Sequence, residues 1–181
     1  MIPKRSKNTR KNNKYNNTKK SKKIEHHHML LRLELESCPY KDDKEHVEHM
    51  ITQIIKDINM KNLAAPKVYY MEHPRYNEGL TAIAPIETSH IAFHFWVRPD
   101  PRILHTSNSN CLLQFDIYTC NSLSQKNVAS VLHHLTQYKP TYADVTILNR
   151  NWGLSVDRHL HWNSEKNNLS WAQWLNTPTF H

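Results

Sequence analysis

The chain has 181 residues, 38% of them hydrophobic, a size that suits one domain with a single core and some appended sequence. Ten Lys and Arg residues precede Glu25, the first acidic residue; the 14 that follow are outnumbered by 16 Asp and Glu, so the net charge of +8 does not describe a basic nucleic-acid-binding body. No apolar run approaches the ~18 residues needed to cross a bilayer and no apolar segment follows the early basic residues as in a secretory signal, so a soluble, cytoplasmic protein without a membrane partner is expected.

Residues 1–25 are rich in Lys, Asn and Ser and nearly free of apolar side chains. Such a segment buries too little surface to offset the entropy of ordering, and it reads as a disordered basic tail with no requirement for nucleic acid. The regular part of the chain begins near His28. Met29, Leu31, Leu33 and Leu35 alternate with mostly polar residues, the period of a half-buried strand ending near Ser37-Cys38-Pro39. Asp42 or Asp43 can then cap a helix on which Val47, Met50, Ile51, Ile54, Ile55 and Ile58 form one stripe.

Strands follow at Pro66–Met71, Leu80–Ile86 and about 89–97, then a loop rich in Pro, Ser and Asn over about 98–110, and a strand over about 112–120. Ser122-Leu123-Ser124-Gln125 has capping-box spacing and opens a second helix, with Val128, Val131, Leu132 and Leu135 on one side. Tyr142–Leu148 closes the pattern with another strand. The order β-α-β-β then β-β-α-β predicts an α+β two-layer sandwich: an antiparallel sheet of about six strands with both helices on one face. The second face is left for a site or another subunit, and a homodimer of four layers is the expected assembly. Residues 151–181 hold Trp152, Trp162, Trp171 and Trp174, with Ser170 placed to cap a short helix through Leu175; they read as an extension lying against the 26–150 domain.

Gly79 and Gly153 are the only glycines, so no phosphate-cradling loop is present. Cys38, Cys111 and Cys120 are odd in number and lack CxxC spacing, which argues against a disulfide framework or zinc knuckle and fits a reducing cytosol. His90 and His94, four residues apart on one strand, are roughly 13 Å apart, too far to share an ion, so no metal is expected.

Chemistry concentrates on two strands. On the first, Ile91, Phe93 and Phe95 should face the helices, and His90, Ala92, His94 and Trp96 the other side. On the second, Leu113, Phe115 and Ile117 match the helix side, leaving Gln114, Asp116, Tyr118 and Cys120 opposite. His94 and Cys120 therefore share the helix-free face.

The runs Thr88-Ser89-His90-Ile91-Ala92-Phe93-His94-Phe95-Trp96 and Asp116-Ile117-Tyr118-Thr119-Cys120-Asn121 resemble those of the prokaryotic-type S-adenosylmethionine decarboxylase proenzymes, which carry Glu-Ser-His-Ile/Leu-x-Ile-His-Thr-Trp and then Asp-hydrophobic-aromatic-Thr-Cys-Gly. The resemblance implies a pyruvoyl enzyme made by self-cleavage at Thr88-Ser89, with Ser89 the source of the pyruvoyl group and neither a metal nor pyridoxal phosphate required. It implies that Thr81 assists processing, that His94 assists ester elimination, and that Cys120 protonates the substrate carbon once CO2 has left, in a Schiff-base decarboxylation that provides the aminopropyl donor for spermidine.

A thiol waiting within hydrogen-bond reach of a new carbanion is a suitable acid for that last step. Trp96 is placed to line the substrate pocket and Tyr76 to stack on a purine. The chain departs from the family where Arg98 stands in place of a ribose-holding glutamate and Arg75 in place of a stacking phenylalanine. An arginine suits a substrate carboxylate, so arginine or ornithine decarboxylation on the same fold is an alternative. The changes at Thr88 and Asn121 motivate another, an unprocessed homologue that only binds.

Overall fold

The computed structural model describes residues 25–72, 78–87 and 89–180. The tail expected over residues 1–25 lies outside them but for Glu25. Seven strands, β1 (His27–Leu35), β2 (Lys67–Met71), β3 (Gly79–Ile86), β4 (Ser89–Trp96), β5 (Cys111–Thr119), β6 (Pro140–Asn149) and β7 (Ser155–Asn163), form one sheet in the order β2-β3-β4-β5-β1-β6-β7. Every pairing is antiparallel.

Alternation dictates the core. Met29, Leu31, Leu33 and Leu35 of β1, Ile91, Phe93 and Phe95 of β4, Leu113, Phe115 and Ile117 of β5, and Ala143, Val145 and Ile147 of β6 bury one face of the sheet in a single apolar cluster. The helices α1 (Lys44–Asp57) and α2 (Gln125–Leu135) supply the other half through Val47, Met50, Ile51, Ile54 and Ile55, and Val128, Val131, Leu132 and Leu135. Each such side chain contributes roughly 1.5–3 kcal/mol by leaving water, which is why the two apolar stripes fix the layering.

Four features differ from the sequence expectation. First, the cap of α2 is Ser124, whose hydroxyl accepts from the Asn127 N–H while Asn127 Oδ1 accepts from the Ser124 N–H. The capping pair is thus displaced by two residues from the predicted one. At α1, Asp43 occupies the cap position, but its carboxylate accepts from the Tyr40 N–H at 2.7 Å.

Second, residues 155–163 form a seventh strand rather than a segment lying on the domain. It pairs with β6 from Tyr142–Asn163 to Asn149–Ser155. As an edge strand it buries little beyond Trp162 and Asn163, so its sequence lacks the apolar alternation that marks the inner strands. Helix α3 (Trp171–Leu175) is capped by Ser170 as expected. Its Trp171 and Trp174 join Trp162 and Phe180 in an aromatic cluster with ring centres 5.0–6.2 Å apart. Trp152 takes no part and is 99% exposed.

Third, Cys38 and Cys111 form a disulfide, leaving Cys120 as the free thiol. The register puts Cys111 opposite Leu35, three residues before Cys38. An odd count of three hid a pair plus one, and the cysteine argument for a reducing compartment no longer holds.

Fourth, the connection from 97 to 110 folds back onto the sheet. Glu34, fully buried at the end of β1, collects its donors: the His105 N–H at 2.8 Å, His105 Nδ1 at 2.7 Å, Ser109 Oγ at 3.1 Å and Arg32 Nη2 at 2.9 Å. Burial pushes the Glu34 carboxyl up, but the hydrogen bonds from His105, then Arg32 and Ser109, outweigh it and hold the group below the ordinary glutamate range.

Two predictions follow from the disulfide and the buried carboxylate. Alkylation of the unfolded chain without reductant should label one cysteine, Cys120, and after reduction all three; three labels without reductant would remove the Cys38–Cys111 bond. Stability from Glu34 is complete above the unfolded glutamate value of about 4.3 and is lost as pH falls through its lower folded value. Glu34→Gln should therefore lose about 3 kcal/mol at neutral pH, measured by urea unfolding, with a shallower decline of stability in acid than the parent.

Candidate active site

The sheet face away from the helices carries the candidate functional side chains, and strand register sorts them into rows. Thr81, His94, Gln114, Arg32, Asp144 and His161 stand opposite one another across β3, β4, β5, β1, β6 and β7. All of these but His161 border a concavity of about 640 Å³ that also takes in Ala92, Trp96 and Asp116. Thr81 Oγ1 is hydrogen-bonded to His94 Nδ1 at 2.7 Å, and the His94 ring lies edge-on to Trp96 with centres 4.1 Å apart. Burial pushes the His94 imidazole below its ordinary value, so it is neutral near pH 7 and able to accept a proton.

A second group stands at the other end of β4. Ser89 pairs with Thr119, the residue before Cys120, whose thiol is half-buried. Ser89 has φ of 153°, one of three non-glycine residues at positive φ among the described residues. Ser89 Oγ lies 3.1 Å from His90 Nδ1. Asp116 Oδ2 is 3.3 Å from His90 Nε2 and 3.2 Å from His28 Nε2. Arg150 reaches His28 Nδ1 at 3.4 Å and stacks over the Tyr118 ring at 4.2 Å. Sequence reasoning placed His90 and Asp116 on this face without joining them; His28 and Arg150 come from the first strand and the end of the sixth, and only strand order brings them near.

The chain thus brings Thr81, His94 and Trp96 together at one place and Ser89 with Cys120 at another. Five residues of extended strand between Ser89 and His94 amount to about 17 Å. His94 and Cys120 avoid the helix-packed core, as alternation predicts, but within one chain they do not meet. Tyr76, Arg75 and Thr88 lie outside the described residues.

Arg98 does not stand free for a substrate. It pairs with the buried Glu78, which also accepts from Tyr70 Oη at 2.5 Å and Tyr40 Oη at 3.3 Å. Burial, then Tyr40, pushes the Tyr70 phenol up to about 12, so it stays a donor. Beside this group Gly79 enters β3 so close to β4 that a Cβ there would sit 1.7 Å from the Phe95 carbonyl oxygen. Among the described residues no three His, Cys, Asp or Glu side chains gather as a metal site would require, and no helix is long and apolar enough to cross a membrane.

The model of the S-adenosylmethionine decarboxylase family matches residues 28–151. The chain belongs to that family. The matched span holds both β4 and β5 and all the side chains grouped above except His161. None of the curated proteins compared with the chain matches it. Among solved structures, a phage SAM lyase in complex with S-methyl-5'-thioadenosine is similar over 78% of this chain and 92% of its own, with 13% sequence identity and a TM-score of 0.33.

Proposed function

We propose that this family member is a self-processing, pyruvoyl-dependent decarboxylase of S-adenosylmethionine that supplies the aminopropyl donor for spermidine synthesis in the cytoplasm. The observation that carries the reading is Ser89: a serine at the first position of β4, at positive φ, with its hydroxyl against an imidazole and a free thiol just past its partner on β5. Backbone held in a sparsely populated region at a reacting residue is the kind of strain that a cleavage step can release.

In this reading the Ser89 hydroxyl attacks the carbonyl before it, and cleavage at Thr88-Ser89 yields fragments 1–88 and 89–181. A pyruvoyl group made from Ser89 would supply the carbonyl that draws electrons from a substrate amine as CO2 departs. The fit is that of a partly buried residue at the start of β4 whose partner on β5 precedes a free thiol. Cys120 gives the proton that replaces the carboxylate. His94, neutral and held by Thr81, takes a proton during ester elimination, and Trp96 with Tyr76 lines the substrate site.

Because Thr81 and His94 stand about 17 Å from Ser89 along β4, the reading needs two copies of the chain. A two-fold axis over the helix-free face carries the Thr81–His94 pair of one copy toward Ser89 and Cys120 of the other, the isologous contact of a homodimer. The arginine or ornithine alternative rested on Arg98 and Arg75; Arg98 is paired with Glu78, and Arg75 lies outside the described residues.

On a reducing denaturing gel the parent chain should run as the two fragments and Ser89→Ala as one band. Cys120→Ala should still cleave yet release labelled CO2 from S-adenosylmethionine at least about 100-fold more slowly. A single intact band from the parent would end the processing reading and favour a homologue that only binds. The shared site has its own check. Co-expressed Ser89→Ala and His94→Ala chains, each poorly cleaved alone, should regain cleavage of the His94→Ala chain in the mixed dimer; no gain would place both functions within one copy.

A further inference from the structure

Resting on the self-processing reading, we propose that His90 is the base that draws the proton from Ser89 Oγ as the backbone is cut, with Asp116 and His28 holding its imidazole for the task.

Donor and acceptor bookkeeping assigns the protons. Arginine can only donate, so Arg150, 3.4 Å from His28 Nδ1, makes that nitrogen an acceptor. A neutral His28 then carries its proton on Nε2, which faces Asp116 Oδ2 at 3.2 Å. The ionised Asp116 carboxylate only accepts, so His90 Nε2, 3.3 Å from the same oxygen, must also carry a proton. The remaining lone pair of a neutral His90 is on Nδ1, and Nδ1 lies 3.1 Å from Ser89 Oγ. Serine, imidazole and carboxylate form one chain, the arrangement by which a weak hydroxyl nucleophile is activated elsewhere, with the two ring nitrogens exchanged.

The groups around His90 favour this role. Asp116 on β5 stabilises the imidazolium that forms. Tyr118, two residues on, flanks both His90 and His28 with ring centres 6.0 and 5.7 Å away. Arg150 occupies His28 Nδ1, so His28 meets Asp116 through Nε2 and helps fix the carboxylate beside His90.

The step balances within the chain. The bond from Ser89 Oγ to the preceding carbonyl carbon forms, and His90 Nδ1 takes the hydroxyl proton. The bond from that carbon to the Ser89 nitrogen breaks, and the imidazolium returns the proton to the nitrogen. An amide becomes an ester and a free amine, with no oxidant or co-reactant. His90 acts before His94, since His94 is assigned to the elimination that consumes the ester.

The order of steps gives the test. Full-length precursor from cell-free translation is purified and its cleavage timed, with and without hydroxylamine, which splits an ester but not the amide. His90→Ala should slow cleavage by about 100-fold or more, and hydroxylamine should release no fragments, because no ester has formed. His94→Ala should instead accumulate a hydroxylamine-labile ester. Asp116→Asn, a positioning change, should slow cleavage about tenfold, also without ester. His90→Gln, nearer in size and without a base, should behave as His90→Ala does and stands in for it if the alanine chain fails to fold. His90 variants that cleave at the parental rate, or that hydroxylamine splits at once, overturn the assignment while processing stands. A parent chain that never cleaves overturns processing itself and His90's role with it.

Discussion

One register, β4 against β5, decides where every candidate functional side chain stands. Pairing Ser89 with Thr119 and Trp96 with Leu112 sends Ile91, Phe93 and Phe95 into the helix-covered core beside Ile117, Phe115 and Leu113. The same pairing leaves His90, His94, Gln114 and Asp116 on the other face. A slip of β4 by one residue would turn His90 and His94 into the core and Ile91, Phe93 and Phe95 out of it. The core therefore enforces the site: the burial that stabilises the sheet is what forbids the alternative placement of its histidines.

Two buried carboxylates shape the edges of that face. Glu34 ties down the 97–110 connection through His105, Thr106 and Ser109, while Glu78 gathers Tyr40, Tyr70 and Arg98 where the chain enters β3. Each is a charge withdrawn from water and compensated by several donors at once, so removing the Glu34 carboxylate would leave the buried Thr106 and Ser109 short of a partner. Their effect is to make irregular segments as well determined as strands. Arg98, which by sequence stands where the family holds a ribose, is thereby committed to the framework.

The layering was legible from alternation and helical stripes alone, because inner strands and amphipathic helices must carry those periods. Met29 to Leu35 and Ile91 to Phe95 are clear examples. The same logic fails for β7, an edge strand reading Ser155-Val156-Asp157-Arg158-His159 whose side chains mostly meet solvent. It fails again for Cys38 and Cys111, 73 residues apart, since their meeting depends on how β1 pairs with β5. Motif residues were easy to find and hard to group. Ser89, His94 and Cys120 stand out in the sequence, yet period two says which face a side chain takes and nothing of how far along the strand its partner lies.

The disulfide has a topological consequence. It joins β1's exit, before residue 89, to β5's start, after it. Strand β1 is itself wedged between β5 and β6, and β3 is laced to β4 along its whole length. A chain severed at the β3–β4 turn would thus not come apart: its halves would remain interleaved like clasped fingers, with one covalent rivet through both. The sheet was assembled so that a cut at that turn creates two new ends and no new surface, a property that lets a protein sacrifice a peptide bond without sacrificing its shape.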